Sequence, residues 1–413
     1  ADNINPTIGV SGDIIIIAWV DDSLEKVELK RLDVTTDGLG TLCTPSQASP
    51  GAMDASTIVT VAALSATEGV LAFADDATAG VVDVYDVTGL NGSCTTTDVH
   101  PGNLPFGTFG AGVTIDDRPI MLPLTSTTAA MVFQDGTDLS MAVFDTALAE
   151  WTQNNTTLGS VTSTVVSATT DGTTVWAITV NSGTTSFVAC CTASTGMNET
   201  STAVDTDIGA AGDEQASGVG MFCPSATNCK IVYTDCIDAA AGCGSQPTVN
   251  FVDCDNADCS TKTTTVLDSD IGAATDVGNP SIYCITDGVS VGGNCKIVYG
   301  DDLDTTTPQL NFVDCTNDET CATNNIDVGW ASDNDIGAAT AIARSSLYCL
   351  ADDNCKGVYK DSGAADTFFV DCGANTCADA TATATNVDNS SGANVGNMDI
   401  SCVADDNCKL VYT

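Results

Sequence analysis

Basic side chains are scarce in this 413-residue chain: eleven lysines and arginines stand against 55 carboxylates, a formal net charge of −44. A surface that acidic repels phosphate, which argues strongly against nucleic acid and anionic membranes as partners and leaves solubility, cation binding or a high-salt habitat open. Histidine occurs once, at His100 in the turn-like HPGN. Serine and cysteine triads therefore lack a base, and cysteine-rich zinc sites lack their usual partner. No CxxC or CxxCH is present, so thioredoxin-like redox motifs and c-type haem attachment are absent. Long apolar runs are also missing. The longest, IIIIAWV from Ile14 to Val20, has the length of a strand, so no membrane span is expected. No signal peptide is visible, and Ala1 reads as the mature terminus of an exported chain. Yet 43% of residues are apolar and the mean hydropathy is +0.14. The charge therefore decorates a folded surface rather than a disordered tail.

What is present is a repeat. Residues 281–328, SIYCITDGVSVGGNCKIVYGDDLDTTTPQLNFVDCTNDETCATNNIDV, contain four alternating runs: Ser281 to Cys284, Cys295 to Tyr299, Gln309 to Cys315 and Thr323 to Val328. Gly, Asp, Asn, Thr and Pro separate them, the signature of strands joined by turns. Four antiparallel strands in roughly 60 residues is the size of a propeller blade. Copies begin at Met221 (MFCPSATNCKIVYTD), Ser346 (SLYCLADDNCKGVYKD) and Asp399 (DISCVADDNCKLVYT). A second phrase recurs between units as DTDIGAA at Asp205, DSDIGAA at Asp268 and DNDIGAA at Asp333. Its spacings are 268 − 205 = 63 and 333 − 268 = 65 residues.

The twenty cysteines follow the repeat. One set spans the turn between the first and second strands: Cys223 with Cys229, Cys284 with Cys295, Cys349 with Cys355 and Cys402 with Cys408. Another spans the turn between the third and fourth: Cys254 with Cys259, Cys315 with Cys321 and Cys372 with Cys377. Cys236 with Cys243 would clip an enlarged loop. Opposed residues of an antiparallel hairpin lie within disulfide reach, and each small loop contributes about 2 kcal/mol. Such a framework belongs to an oxidising, extracytoplasmic compartment. Cys43 and Cys94 hold similar positions in neighbouring units and would bridge them. The vicinal Cys190 and Cys191 either form a ring or take separate partners.

The expected fold is all-β, a single propeller over residues 1–413. Its blades are expected at 6–44, 57–99, 118–158, 161–205, 219–268, 281–328 and 345–388. Residues 1–12 are expected to hold at most a short strand. Residues 394–413 are half of an eighth unit, which either completes a closing blade or leaves an edge for a neighbouring molecule.

The unit GNPSIYC...NCKIVYGD...QLNFVDC, preceded by D-x-D-I-G, resembles the repeat of sialidase-like bacterial propellers of the BNR or Asp-box type. The resemblance covers residues 205–413 and is carried by strand pattern alone before them. TTDGTTVW, Thr169 to Trp176, is the nearest approach to an Asp-box. The resemblance implies a propeller fold. A catalytic member would need three clamping arginines, a Tyr/Glu pair and an acid/base carboxylate. The three arginines here, Arg31, Arg118 and Arg344, do not recur at one place in the unit, so the resemblance implies a non-catalytic protein.

Asp205/Asp207, Asp268/Asp270 and Asp333/Asp335 of the D-x-D-I-G phrases are the candidate calcium ligands, since Ca²⁺ takes six to eight oxygens. The competing use is capping of turn amides, which needs no ion. Tyr233/Asp235, Tyr299/Asp301 and Tyr359/Asp361 close the second strands, either as an exposed ring or as strand-end packing. Sequons stand at Asn91, Asn154, Asn155, Asn198 and Asn389, expected in turns. With so many carboxylates, a glycosidase-like pair is uninformative. The expected function is that of a secreted, non-enzymatic structural or surface protein that assembles with itself into a filament or layer. A calcium-assisted glycan-binding or adhesion propeller is the alternative, and a sialidase-like hydrolase the lesser one.

Overall fold

The computed structural model describes residues 3–21, 26–33, 35–36, 38–40, 42–44, 59–75, 81–99, 119–135, 138–160, 164–181, 184–192, 200–205, 219–225, 228–235, 248–268, 280–285, 294–301, 309–315, 321, 342–351, 354–361, 366–371, 383–388, 398–404 and 407–412. Every regular element among them is a strand. The chain divides into two compact units, residues 1–179 with 188–201, and residues 180–187 with 202–412.

In the first unit, sheet 1 is β1 (Asn3–Ser11), β2 (Ile14–Asp21), β3 (Lys26–Asp33) and β4 (Gly38–Leu39), paired in that order. Sheet 2 is β5 (Val59–Ser65), β6 (Glu68–Asp75), β7 (Val81–Thr88) and β8 (Thr95–Asp98). Sheet 3 is β9 (Ile120–Pro123), β10 (Thr128–Asp135), β11 (Asp138–Asp145) and β12 (Glu150–Ser160). Sheet 4, β13 (Thr164–Thr170), β14 (Thr174–Asn181), β15 (Thr184–Thr192) and β16 (Thr200–Asp205), has residues in both units, with Asp205 in the second. The second unit carries sheet 5, made of β17 (Val219–Ser225), β18 (Asn228–Asp235), β19 (Thr248–Cys254) and β20 (Lys262–Asp268). Sheet 6 has three described strands, β21 (Ser281–Ile285), β22 (Asn294–Asp301) and β23 (Gln309–Cys315). Sheet 7 is β24 (Ile342–Ala351), β25 (Asn354–Asp361), β26 (Asp366–Asp371) and β27 (Thr383–Asp388). Sheet 8 is the hairpin β28 (Met398–Ala404) and β29 (Asn407–Tyr412).

Each described sheet is antiparallel with strands in chain order, the up-and-down pattern of a propeller blade. Successive sheets share apolar cores. Ile16, Ala18 and Leu29 of sheet 1 pack with Val59, Val61 and Phe73 of sheet 2. Ala62, Leu64 and Val84 of sheet 2 pack with Met121, Met131 and Phe144 of sheet 3. In the second unit, Val232 and Phe251 meet Ile282 and Ile297. Second strands are thus covered on both faces, which is why β2 reads IIIIAWV without alternation. The edge strand β8, TTTD, is mostly exposed and carries no such run. Close packing also selects small residues. A Cβ on Gly9 of β1 would stand 2.8 Å from the Ala63 nitrogen and the Val61 oxygen of β5, so this crossing admits only glycine.

Two expectations need correction. The polar lead of residues 1–12 forms a nine-residue first strand, β1, because Thr7 to Ser11 pair residue for residue with Ile14 to Ala18. Asn154 and Asn155 lie within β12 rather than in a turn. Asn91 is exposed in the turn that follows β7, whereas Asn198 and Asn389 lie outside the described residues. The fourth strand expected at Thr323 to Val328 also lies outside them.

Candidate functional site

The residues that the repeat conserves from copy to copy meet at the seams between the cysteine-rich sheets. Each second strand there begins Asn-Cys-Lys, and each third strand reaches a Val-Asp that a cysteine follows in the sequence. In sheet 5 the register opposes Cys229 to Cys254, and so sets Lys230 opposite Asp253. Sheet 6 opposes Lys296 to Asp314 and sheet 7 opposes Lys356 to Asp371. All three pairs form ion pairs with the lysine side chain buried. Beyond each lysine, on the first strand, stands an aromatic ring: Phe222, Tyr283 or Tyr348. The rings form a ladder from sheet to sheet, with centroids 5.2 Å apart for Phe222 and Tyr283 and 4.8 Å for Tyr283 and Tyr348. Burial, reinforced by Tyr348, raises the Tyr283 phenol above its ordinary range, so it stays protonated. Isolated buried charges would be strongly unfavourable, and the pairing offsets part of that cost. This row was present in the sequence as a repeated lysine in a lysine-poor chain. Its partner appears only once the strand register is known.

Bridges flank the row. The structure joins Cys223 to Cys229, Cys254 to Cys259, Cys284 to Cys295, Cys315 to Cys321, Cys349 to Cys355 and Cys402 to Cys408. It also joins Cys43 to Cys94, tying sheet 1 to sheet 2 across 51 residues. Cys236, Cys243, Cys372 and Cys377 lie outside the described residues, as do the side chains of Cys190 and Cys191.

The first aspartates of the D-x-D-I-G phrases serve the seams too. Tyr233 Oη donates to Asp205 Oδ2 at 2.6 Å, and Tyr299 Oη to Asp268 Oδ2 at 3.0 Å. In each case the fourth strand of one sheet is tied to the second strand of the next. Burial and the Asp205 carboxylate raise the Tyr233 phenol, keeping it a donor. Tyr233, Tyr299 and Tyr359 are all buried, which decides between the two readings in favour of strand-end packing. Asp235 is buried beside Tyr233, while the side chains of Asp301 and Asp361 are not described. Asp207, Asp270, Asp333 and Asp335 lie outside the described residues. Among the described residues, no group of three or more His, Cys, Asp or Glu side chains is arranged to hold a metal.

The three arginines are not brought together as a described cluster. Arg31 on β3 pairs with Asp33 at 3.1 Å and donates through Nε to the Ala66 carbonyl at 3.0 Å, a tie between sheets 1 and 2. Arg118 and His100 lie outside the described residues, as does the side chain of Arg344. TTDGTTVW forms the turn from β13 to β14, where Asp171 Oδ1 accepts from the Thr173 and Thr174 amides, both at 2.8 Å. Gly172 adopts φ +87° there, a conformation that favours glycine. The aspartate caps a turn, as short polar side chains do.

No family model matches the chain, and no curated protein matches it. Several solved structures are similar to it at 8 to 10% identity. A structure from a study of two prolyl endopeptidases has a TM-score of 0.48 and 10% identity over 93% of this chain, which spans half of that one's length. The β-propeller domain of the Trilobed protease from Pyrococcus furiosus has a TM-score of 0.42 and 8% identity, covering 89% of this chain and 93% of its own. Kluyveromyces lactis Hsv2 has a TM-score of 0.47 and 10% identity, with 94% and 98% covered.

Proposed function

We propose that the chain is an exported, non-catalytic structural protein, a single propeller of seven blades whose acidic units assemble with copies of themselves into a filament or layer. One observation carries this reading. The polar residues repeated from unit to unit are engaged in holding strand to strand and sheet to sheet: Lys230 with Asp253, Tyr233 with Asp205, and the cysteines with one another. A repeat devoted to binding or catalysis would instead direct such groups toward an open cleft. Dense disulfides fit an oxidising exterior. The hairpin β28–β29 is a sheet of two described strands packed on sheet 7 through Ile400, Cys402, Tyr348 and Val358. Among the described residues no third strand pairs with this hairpin, a form that suits addition of a strand from a neighbouring molecule.

Electron microscopy of the protein at its native salt tests the reading. Regular filaments or layers are expected, and deletion of residues 394–413 should leave single particles. Isolated particles from the intact chain would overturn assembly. Loss of folding on deletion would instead assign the hairpin to closure of the ring.

A further inference from the structure

We propose that Lys230 and Asp253 are joined by an amide bond that the protein forms on itself. The two residues are directly opposed on β18 and β19, and Lys230 Nζ contacts Asp253 Oδ1. Their side chains are 2% and 6% exposed, the most completely buried of the three lysine–aspartate pairs. Phe222 stands opposite Lys230 on the other side. Phe222, Val232 and Phe251 pack on Ile282, Cys284, Cys295 and Cys315 of the next sheet, so the face is closed by apolar side chains and bridges. Two opposite charges are thus held in contact without the water that would solvate them.

The chemistry needs no further reactant. One proton passes from the ammonium to the carboxylate, giving an amine beside a carboxylic acid. The Nζ lone pair adds to Cγ, the bond from Cγ to the acid hydroxyl breaks, and a second proton from Nζ leaves with that hydroxyl as water. The ion pair and the amide plus water have the same atoms and the same charge. Fixed opposition of the two side chains on adjacent strands supplies the proximity. Asp371 differs: its side chain is 49% exposed, so water reaches the Lys356 pair and the closed surroundings of the Lys230 pair are missing there.

The test is peptide mapping of the full oxidised chain after unfolding, reduction, alkylation and chymotryptic digestion. The expected product is one species holding the Lys230 and Asp253 peptides, lighter than their sum by one water and surviving reduction. The Lys356 peptides provide the unlinked reference. Lys230→Arg, which keeps the charge but forms no such amide, should release the two peptides at their separate masses. Separate, unmodified Lys230 and Asp253 peptides in the unaltered chain would overturn the proposal. A link that persists in Lys230→Arg would also overturn it.

Discussion

Tyr299 of β22 donates its phenolic hydrogen to Asp268 at the end of β20, 3.0 Å away and 31 residues earlier in the chain, with both side chains buried. That bond crosses the seam between sheets 5 and 6, beside their shared apolar core. Tyr299→Phe removes the donor while leaving the ring in place, and is expected to cost about 1.5 to 3 kcal/mol, the range for a hydrogen bond to a charged group. Urea unfolding measures it. An unchanged midpoint would mean that the seam rests on apolar packing alone.

The pair Lys356–Asp371 should respond asymmetrically, because the lysine side chain is fully buried and the aspartate is half in water. Asp371→Ala strips a buried ammonium of its carboxylate and is expected to cost about 3 kcal/mol. Lys356→Met leaves a carboxylate that water can solvate and fills the same slot, costing under about 1 kcal/mol. Equal losses in the two variants would show that burial does not govern the pair.

Asp86 gives a pH dependence. On β7 it lies opposite Val70 of β6, Oδ1 has no hydrogen-bond partner among the described residues, and burial with the Glu68 carboxylate pushes it up to about 6. A carboxyl whose folded value is raised retains its proton in the native state when the unfolded chain has lost it. Stability contributed by this group is therefore present below about pH 4, falls as pH rises toward about 6, and is flat above. Asp86→Asn should stabilise the protein at neutral pH by about 1 to 2 kcal/mol and by little at about pH 4. Denaturant titrations at the two pH values check the sign; an equal gain at both would count against it.

Bridges should contribute according to the chain they enclose. Cys43–Cys94 closes 51 residues and Cys349–Cys355 only six. Replacing both cysteines of the first by alanine is expected to cost about 4 kcal/mol, against about 2 kcal/mol for the second. Melting of the two double variants under identical conditions gives the comparison, and a reversed order would refute the loop-length account.

Calcium should matter little if the D-x-D-I-G aspartates serve as tyrosine acceptors, as Asp205 and Asp268 do. The melting temperature is expected to be the same in EDTA as in millimolar calcium. A clear drop on chelation would return these turns to the metal reading.

Much of the architecture was legible before any coordinates. Period-2 runs punctuated by turn residues define strands locally, and cysteines a few residues apart across a turn have only near neighbours to join, as at Cys349 and Cys355. The charge balance and the single histidine likewise followed from composition alone. Other features required the tertiary structure. β1 was obscured because its polar residues owe their strand to pairing with β2 rather than to their own pattern. Alternation also says which face a side chain takes but not what covers that face. For Tyr233 the sequence left an exposed ring and strand-end packing both open, and the next sheet decided for packing, against Asp205. Lys230 and Asp253 were visible as repeated letters, yet only the register of β18 on β19 set them opposite one another, and only the packing of sheet 6 closed them from water. Sequence determined most strands and the hairpin bridges, because those depend on neighbours along the chain; the fold decided which charges are buried and which are paired, because those depend on neighbours across it.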